Sequence, residues 1–256
     1  MRKQFVAVAE DVPGADWLAR FRRGRNEADR WYHRPGVSPT PNEARAALAA
    51  HMPELLPHYD HVCGLVGDDP AAHIMLSHWR PPPTEHGCSQ TVWLGEDGPA
   101  LVRNYDFPIA TVTGRFERTA WDGIAVIGSA QRPWGGLLDG MNAHGLVASL
   151  TAGGSAARGA GFAIILVLRY VLQTCRTVAE GIAAFRRIPI AQSQNVTLLD
   201  RSGAFATVFL GLDRTPAISR NPVCTNHQEI APATGTSAQR FAALQMARNK
   251  AARSKT

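Results

Sequence analysis

Cysteine is scarce in this chain, and the few that occur form no pattern. Cys63, Cys88, Cys175 and Cys224 are widely spaced, with no C-x-x-C pair. That argues against a thioredoxin-like motif, a zinc framework and a dense disulfide scaffold. Long apolar runs are also missing. The longest, Gly161 to Leu168, is far too short to span a bilayer. Met1 to Glu10 lacks the apolar core of a signal peptide. These absences lead to the expectation of a soluble, cytoplasmic protein with no membrane partner. No internal repeat is visible.

What is present is globular in character. Of 256 residues, 45% are hydrophobic and 19% charged, enough for one large domain or two small ones with a substantial core. The formal net charge is +6. Much of the excess lies near the ends, in Arg20, Arg22, Arg23, Arg25, Arg30 and Arg34, then in Arg248, Lys250, Arg253 and Lys255. A basic surface attracts anionic substrates or nucleic acid. No aromatic-interleaved or zinc-type motif accompanies the charge, so the expectation is a solvated arginine-rich face without a nucleic-acid partner. His51, His58, His61, His73 and His78 lack zinc-like spacing, and neither metal nor cofactor is expected.

Periodicity predicts a helix over 14–33, ended by Pro35-Gly36, with Trp17, Leu18, Phe21 and Ala28 on one face. A second helix starts at Thr40-Pro41 and runs to Leu56. Residues 59–79 are helical in part, and Pro81-Pro82-Pro83 reads as a stiff extended linker. Beyond Cys88 the texture changes. Val92 to Leu94 and Ala100 to Val102 flank a Glu96-Asp97-Gly98 turn, a hairpin signal. Further apolar runs fall at Ile124 to Ile127 and Leu146 to Leu150, punctuated by Gly135-Gly136 and Gly140. A buried helix over 162–175 and a helix over 177–187 follow, the latter with a Thr177/Glu180 capping box. A second hairpin joins Val196 to Leu199 with Phe205 to Leu210. The order is helices, strands, two helices, strands: α+β, or helices outside antiparallel sheets.

Cys88 is the leading catalytic candidate. It follows a stiff linker and a glycine, and it precedes a strand. Cleavage of Gly87-Cys88 would give Cys88 a free α-amine, whose ordinary pKa of about 7.7–8.0 suits a general base. One residue then supplies nucleophile and base. Without context, a buried inert cysteine is the commoner outcome. Asp106 of Arg103-Asn104-Tyr105-Asp106 is placed to hold that amine, and Arg103 to orient the thiolate and lower its pKa. Both residues equally suit a surface ion pair at a hairpin end. Asp139 to Leu146 reads mainly as turn chemistry. Asn226 of Cys224-Thr225-Asn226-His227 can donate to an oxyanion, or cap a turn. Arg240, in Ser237-Ala238-Gln239-Arg240-Phe241, is a candidate second guanidinium near the thiolate, or a surface helix residue.

Taken together, Gly87-Cys88, Arg103 to Asp106, Gly140-Met141-Asn142 with Gly145-Leu146, and Thr225-Asn226-His227 resemble one family. It is the acyl-CoA:6-aminopenicillanic acid acyltransferases, relatives of the choloylglycine hydrolases and penicillin V acylases. Arg45 to Leu56 is similar to the propeptide region of the acyltransferase branch. The resemblance implies an N-terminal-nucleophile αββα four-layer sandwich. It implies self-cleavage into residues 1–87 as a helical propeptide, or α chain, and residues 88–245 as the catalytic domain. Cys88 would be the nucleophile, Asp106 the partner of its amine, Arg103 a thiolate neighbour and Asn226 an oxyanion donor. Arg240 matches through its Ser-x-x-Arg-Phe setting, and Thr151 is assigned to substrate binding.

Two departures shape the expectations. Val208-Phe209 stands where the family usually carries an acidic residue. Residues 246–256 read as a basic, disordered tail, so the last elements of the sandwich are expected to be missing. A dimer covering the gap, or an aggregation-prone chain, would follow. The lead reading is a self-processed enzyme that hydrolyses or transfers the acyl group of a small amide or thioester. The competing reading is an inactive, truncated remnant of the same fold.

Overall fold

Capping chemistry sets the start of several elements in the computed structural model, which describes residues 3–32, 38–82, 87–106, 108–132, 134–155, 157–212, 215–228 and 235–253. After strand β1 (Val6–Ala9) come helices α1 (Ala15–Tyr32) and α2 (Pro41–His51). Thr40 and Glu43 form a reciprocal capping box on α2. The helix expected to continue to Leu56 stops at Met52, because Pro53 has no N–H to offer a continuing ladder. It resumes as α3 (Leu56–Val66), and α4 (Pro70–Ser77) follows with Asp69 as its N-cap. Pro83 of the expected linker, with Thr84 to His86, lies outside the described residues.

The expected hairpin is β2 (Gly87–Gly95) with β3 (Gly98–Asp106). Then come β4 (Arg115–Thr119), β5 (Val126–Gln131), β6 (Gly136–Asn142) and β7 (Val147–Ala152). Helices α5 (Ile164–Thr174) and α6 (Val178–Arg187) precede β8 (Gln194–Leu199), β9 (Phe205–Leu210), β10 (Ala217–Ser219) and β11 (Val223–Cys224). The Thr177 hydroxyl caps α6, but the Glu180 carboxylate turns to the Arg176 N–H, so only half of the expected box forms. Helix α7 (Gly235–Arg253) closes the described chain, and residues 246–253, expected as disordered tail, are its last two turns.

Eight strands form one sheet in the order β1-β4-β5-β6-β7-β8-β9-β10, and β11-β2-β3 form a second. Every neighbouring pair is antiparallel except β1 with β4, which is parallel. Helix α5 lies on one face of the large sheet. The small sheet faces the other, with the Gln90 amide donating to the Thr197 hydroxyl at 2.7 Å. Helix α7 packs on β2 and β11. This is an α+β arrangement of two stacked sheets with helices outside them. The N-terminal helices are not an appendage: Trp17, Phe21, Leu48, Met52 and Tyr59 share one core with Leu166, Tyr170 and Phe185.

Strand β6 is absent from the sequence-based expectation because its glycines resemble turn punctuation. They serve packing instead. A Cβ at Gly140 would meet Leu172 of α5 at 2.9 Å and the Ile127 carbonyl at 2.7 Å, so glycine lets the helix lie flat on the sheet. Asn142 ends β6 with all its amide groups used. Its Oδ1 accepts from the His144 and Leu146 amides, and its Nδ2 donates to the carbonyls of Leu172 and Cys175. Within the 139–146 motif, expected as a turn, Asp139 to Asn142 are the end of β6 and only 143–146 turn, with Asn142 clamping the strand end to α5.

His78 terminates α4 in the left-handed region at φ 56°, fully buried, with Nε2 donating to the Trp134 carbonyl. Burial pushes its pKa down from 6.5 to about 4. A histidine held neutral in the fold binds its proton first in the unfolded chain. Stability is therefore intact above pH 6.5 and is lost as pH falls from there toward 4. The loss should be about 3 kcal/mol, since each tenfold drop in proton affinity is worth about 1.36 kcal/mol. Urea unfolding at neutral and acid pH should show it in wild type, and His78→Gln should remove that part. An equal acid loss in both would place the sensitivity elsewhere.

Candidate active site

Alternation along the β2–β3 hairpin decides what surrounds Cys88. Cys88, Gln90 and Val92 point into the space between the sheets, and their register partners Tyr105, Arg103 and Leu101 share that face. Gly87 pairs with Asp106 on the opposite face. Arg103 and Asp106, three residues apart in one strand, therefore project to opposite sides. The Cys88 thiol is buried, with Arg103 Nη2 at 3.5 Å from Sγ.

Arg103 is held from several directions. Its Nη1 donates to the Leu138 carbonyl at 2.6 Å and the Ser149 hydroxyl at 3.1 Å, and lies 3.5 Å from the Asp139 carboxylate. Its guanidinium sits over the Tyr105 ring, 3.2 Å from the centroid, and the Tyr105 hydroxyl donates to Asp139 at 2.7 Å. Burial pushes the Cys88 thiol above its ordinary pKa, and the charge and hydrogen bond of Arg103 partly offset this. In the uncut chain the residue is therefore a thiol at neutral pH. Replacing Arg103 with leucine should move the pH midpoint of Cys88 alkylation up by about one unit, the usual effect of losing a close opposite charge. An unchanged midpoint would separate the guanidinium from the thiol.

The backbone of Cys88 is engaged by side chains. Strand β11 pairs Cys224 with Gln90 and ends there, so Asn226 falls in register opposite Cys88. Asn226 Oδ1 accepts the Cys88 N–H at 2.7 Å and Arg240 Nη2 at 2.8 Å, and two donors on one atom fix which end of the amide is oxygen. Its Nδ2 donates to the Ala152 carbonyl at 3.2 Å. Arg240 Nη1 donates to the Cys88 carbonyl, to the Ser89 hydroxyl at 2.8 Å and to Asp106 at 3.0 Å. Asp106 also accepts from Asn104 Nδ2 at 2.5 Å. It is thus Asn226, not Asp106, that receives the Cys88 N–H in the uncut chain, and in that state Asn226 faces Cys88 as an acceptor.

Of the residues singled out from the sequence, Cys88, Arg103, Asp106, Asn226 and Arg240 converge, with Gly87 between Cys88 and the Asp106 side chain. A Cβ at Gly87 would lie 2.9 Å from Asp106 Cβ. Thr151 is placed differently. It is fully buried, its hydroxyl donates to the Thr225 carbonyl at 2.9 Å, and it receives Asn195 Nδ2 at 3.2 Å. It ties β7 to the 224–227 segment and presents no surface to a ligand. Asn195, Tyr105, Asp139, Ser149 and Ser237 were not assigned from the sequence. Ser237 receives the Asn226 amide at 2.9 Å, one turn before Arg240 on α7. The Ser-x-x-Arg spacing carried that signal. The histidines scatter: His58 stacks on Trp121, His61 meets the Pro13 carbonyl and His73 the Gly67 carbonyl.

A sequence model of the acyl-coenzyme A:6-aminopenicillanic acid acyl-transferase family matches residues 93–254. The chain belongs to this family. Among solved structures it is similar to a mutant of the conjugated bile acid hydrolase from Clostridium perfringens, at 15% identity and TM-score 0.43, covering 57% of this chain and 54% of that one. It is also similar to a Caenorhabditis elegans ortholog of N-acylethanolamine-hydrolyzing acid amidase, at 14% identity and TM-score 0.42, covering 55% and 70%. For penicillin V acylase from Agrobacterium tumefaciens the values are 21% and 0.29, covering 55% and 44%. The chain thus spans about half the length of the bile acid hydrolase and of the penicillin acylase. No curated protein matches it. Among the described residues, no helix is long and apolar enough to cross a membrane.

Proposed function

We propose that this acyltransferase-family chain cuts itself between Gly87 and Cys88, and then uses Cys88 to take an acyl group from a small amide or thioester. One observation carries the reading: the Cys88 thiol touches a guanidinium while its backbone N–H rests on the Asn226 side-chain oxygen. Nucleophile and future amine thus each already have a partner.

In the first step the thiol gives up its proton and Sγ attacks the Gly87 carbonyl carbon. The C–N bond breaks, Cys88 N takes a proton, and Gly87 becomes a thioester on Sγ. Water hydrolyses that thioester and leaves a Gly87 carboxylate and a free Cys88. The new α-amine is a base of suitable pKa beside its own thiol. Asn226 Oδ1 is in place to accept from it, and Asp106 lies beside the departing Gly87. In turnover the amine receives the thiol proton, Sγ attacks the substrate carbonyl, and the leaving amine or thiol takes the proton back. Water or an amine then removes the acyl group.

Intact mass and N-terminal sequencing of the purified chain test this. The expected pieces are residues 1–87 and 88–256, with Cys88 as a new N-terminus, and Cys88→Ala should stay whole. A wild-type chain that remains whole after long incubation would support the inactive-remnant reading. Cleavage of the Cys88→Ala chain at the wild-type rate would show that Cys88 is not the agent.

A further inference from the structure

Helix α7 meets the end of β11 along one face. Ser237, Arg240 and Phe241 stand at i, i+3 and i+4 and so share that face. Each touches part of Thr225-Asn226-His227. The Ser237 hydroxyl accepts the Asn226 N–H at 2.9 Å, Arg240 Nη2 donates to Asn226 Oδ1 at 2.8 Å, and the Phe241 ring meets the His227 ring at 5.3 Å. One helix thus holds Asn226 by its main chain and by its side chain. The strand ladder does not supply the main-chain hold, because β11 ends at Cys224. The Ser237 hydroxyl also lies 3.0 Å from Thr225 Oγ1 and 2.9 Å from His227 Nδ1. The Thr225 hydroxyl donates to the Ser237 carbonyl at 3.1 Å, which leaves its oxygen to accept. Ser237 therefore takes one proton from Asn226 and has two partners within reach for its own. The carbonyls of the same segment are held from the large sheet instead. Thr225 O receives Thr151 Oγ1 at 2.9 Å and Asn195 Nδ2 at 3.0 Å, and His227 O receives Asn195 Nδ2 at 3.2 Å. Without the Ser237 hydroxyl the segment keeps these ties and loses its hold on the Asn226 N–H.

We propose that Ser237 is a positioning residue for the chemistry at Cys88. It acts through Asn226: by fixing that residue's main chain it sets Oδ1 at the level of the Cys88 N–H, 2.7 Å away. That N–H belongs to the bond to be cut, and the same oxygen faces the amine that cutting releases. A small rotation of Asn226 would therefore disturb both steps. The proposal rests on the reading of Cys88 as the self-cleaving residue.

Two measurements on the full chain test this. Self-cleavage should be about fivefold to tenfold slower in Ser237→Ala, the scale of one neutral hydrogen bond. In an Asn226→Ala background the same substitution should change the rate by less than about twofold, since the hydroxyl then has no amide side chain to aim. Equal slowing in both backgrounds would show that Ser237 merely supports α7, and a wild-type rate in Ser237→Ala would show that cleavage does not need it; either result overturns the proposal. The second measurement needs no cleavage. In the uncut Cys88→Ala chain, amide hydrogen exchange at position 88 should quicken about fivefold or more when Ser237→Ala is added. The Val92 amide, which donates to the Pro222 carbonyl at 2.7 Å, should keep its rate. Unchanged exchange at position 88 also overturns the proposal. A wild-type chain that never cuts would count against the nucleophile reading, and the exchange result would still decide the role of Ser237.

Discussion

Asn226→Ala is expected to slow both self-cleavage and acyl turnover by about tenfold to a hundredfold, on the scale of about 1–3 kcal/mol for leaving one buried donor unpaired. The geometry explains why so much rests on one amide. Strand β11 ends two residues before the level of Cys88, and the side chain of Asn226 continues the ladder in its place. The same oxygen anchors Arg240, which in turn grips the Cys88 carbonyl, Ser89 and Asp106. Alanine leaves the Cys88 N–H unpaired and releases Arg240 from one of its supports. Single-turnover cleavage rates, with circular dichroism to confirm the fold, would measure this. Near-wild-type cleavage would remove Asn226 from the chemistry.

Arg169→Met should cost about 3–5 kcal/mol of stability, the range for breaking a buried ion pair from one side. Arg169 is fully buried and lies over the Trp121 ring. Its guanidinium donates to the Gly135 carbonyl, to Thr119 at 2.7 Å and to Glu117 at 2.9 Å. Burial pushes its pKa down to about 10, so it stays charged at neutral pH. Methionine fills the volume but leaves the Gly135 carbonyl and the Thr119 hydroxyl without their donor, and Glu117 keeps only Arg115 as a partner. Urea unfolding of wild type and variant would show the loss. A loss below about 1 kcal/mol would mean that water reaches the stranded groups.

The residues around Cys88 were legible because each motif carries its chemistry in its residue types: a Gly-Cys junction, an Arg and Asp pair, an Asn and a late Arg. Their partners were less so. Strand period two sends Arg103 inward and Asp106 outward, which separates two roles that the spacing alone had assigned to one amine and one thiolate beside it. Tyr105 and Asp139 stand in motifs legible in the sequence but carried no assigned role there, because their work is to hold Arg103, and that contact joins strands 34 residues apart. Strand β4, Arg115-Phe-Glu-Arg-Thr, has three charges in five residues and no apolar run to mark it, yet Glu117 and Thr119 are the partners of a buried arginine. The glycines of β6 look like turns until a helix is laid against them. Helix α7 has few apolar residues to mark it, and its first turns are tied down by Ser237 and Arg240.

The parallel pairing of β1 with β4 carries a consequence for the proposed self-cleavage. Residues 6–9 supply the edge strand of the large sheet, and α1 to α4 fill its core. A cut at Gly87-Cys88 would turn one chain into two that share a single interior. The pieces should co-purify until denatured, and unfolding should then release them into separate diffusion. Refolding becomes a second-order encounter whose yield depends on dilution. The uncut Cys88→Ala chain should refold at any concentration where it stays soluble. The cut protein would be made once, and its persistence would be set by how slowly it comes apart.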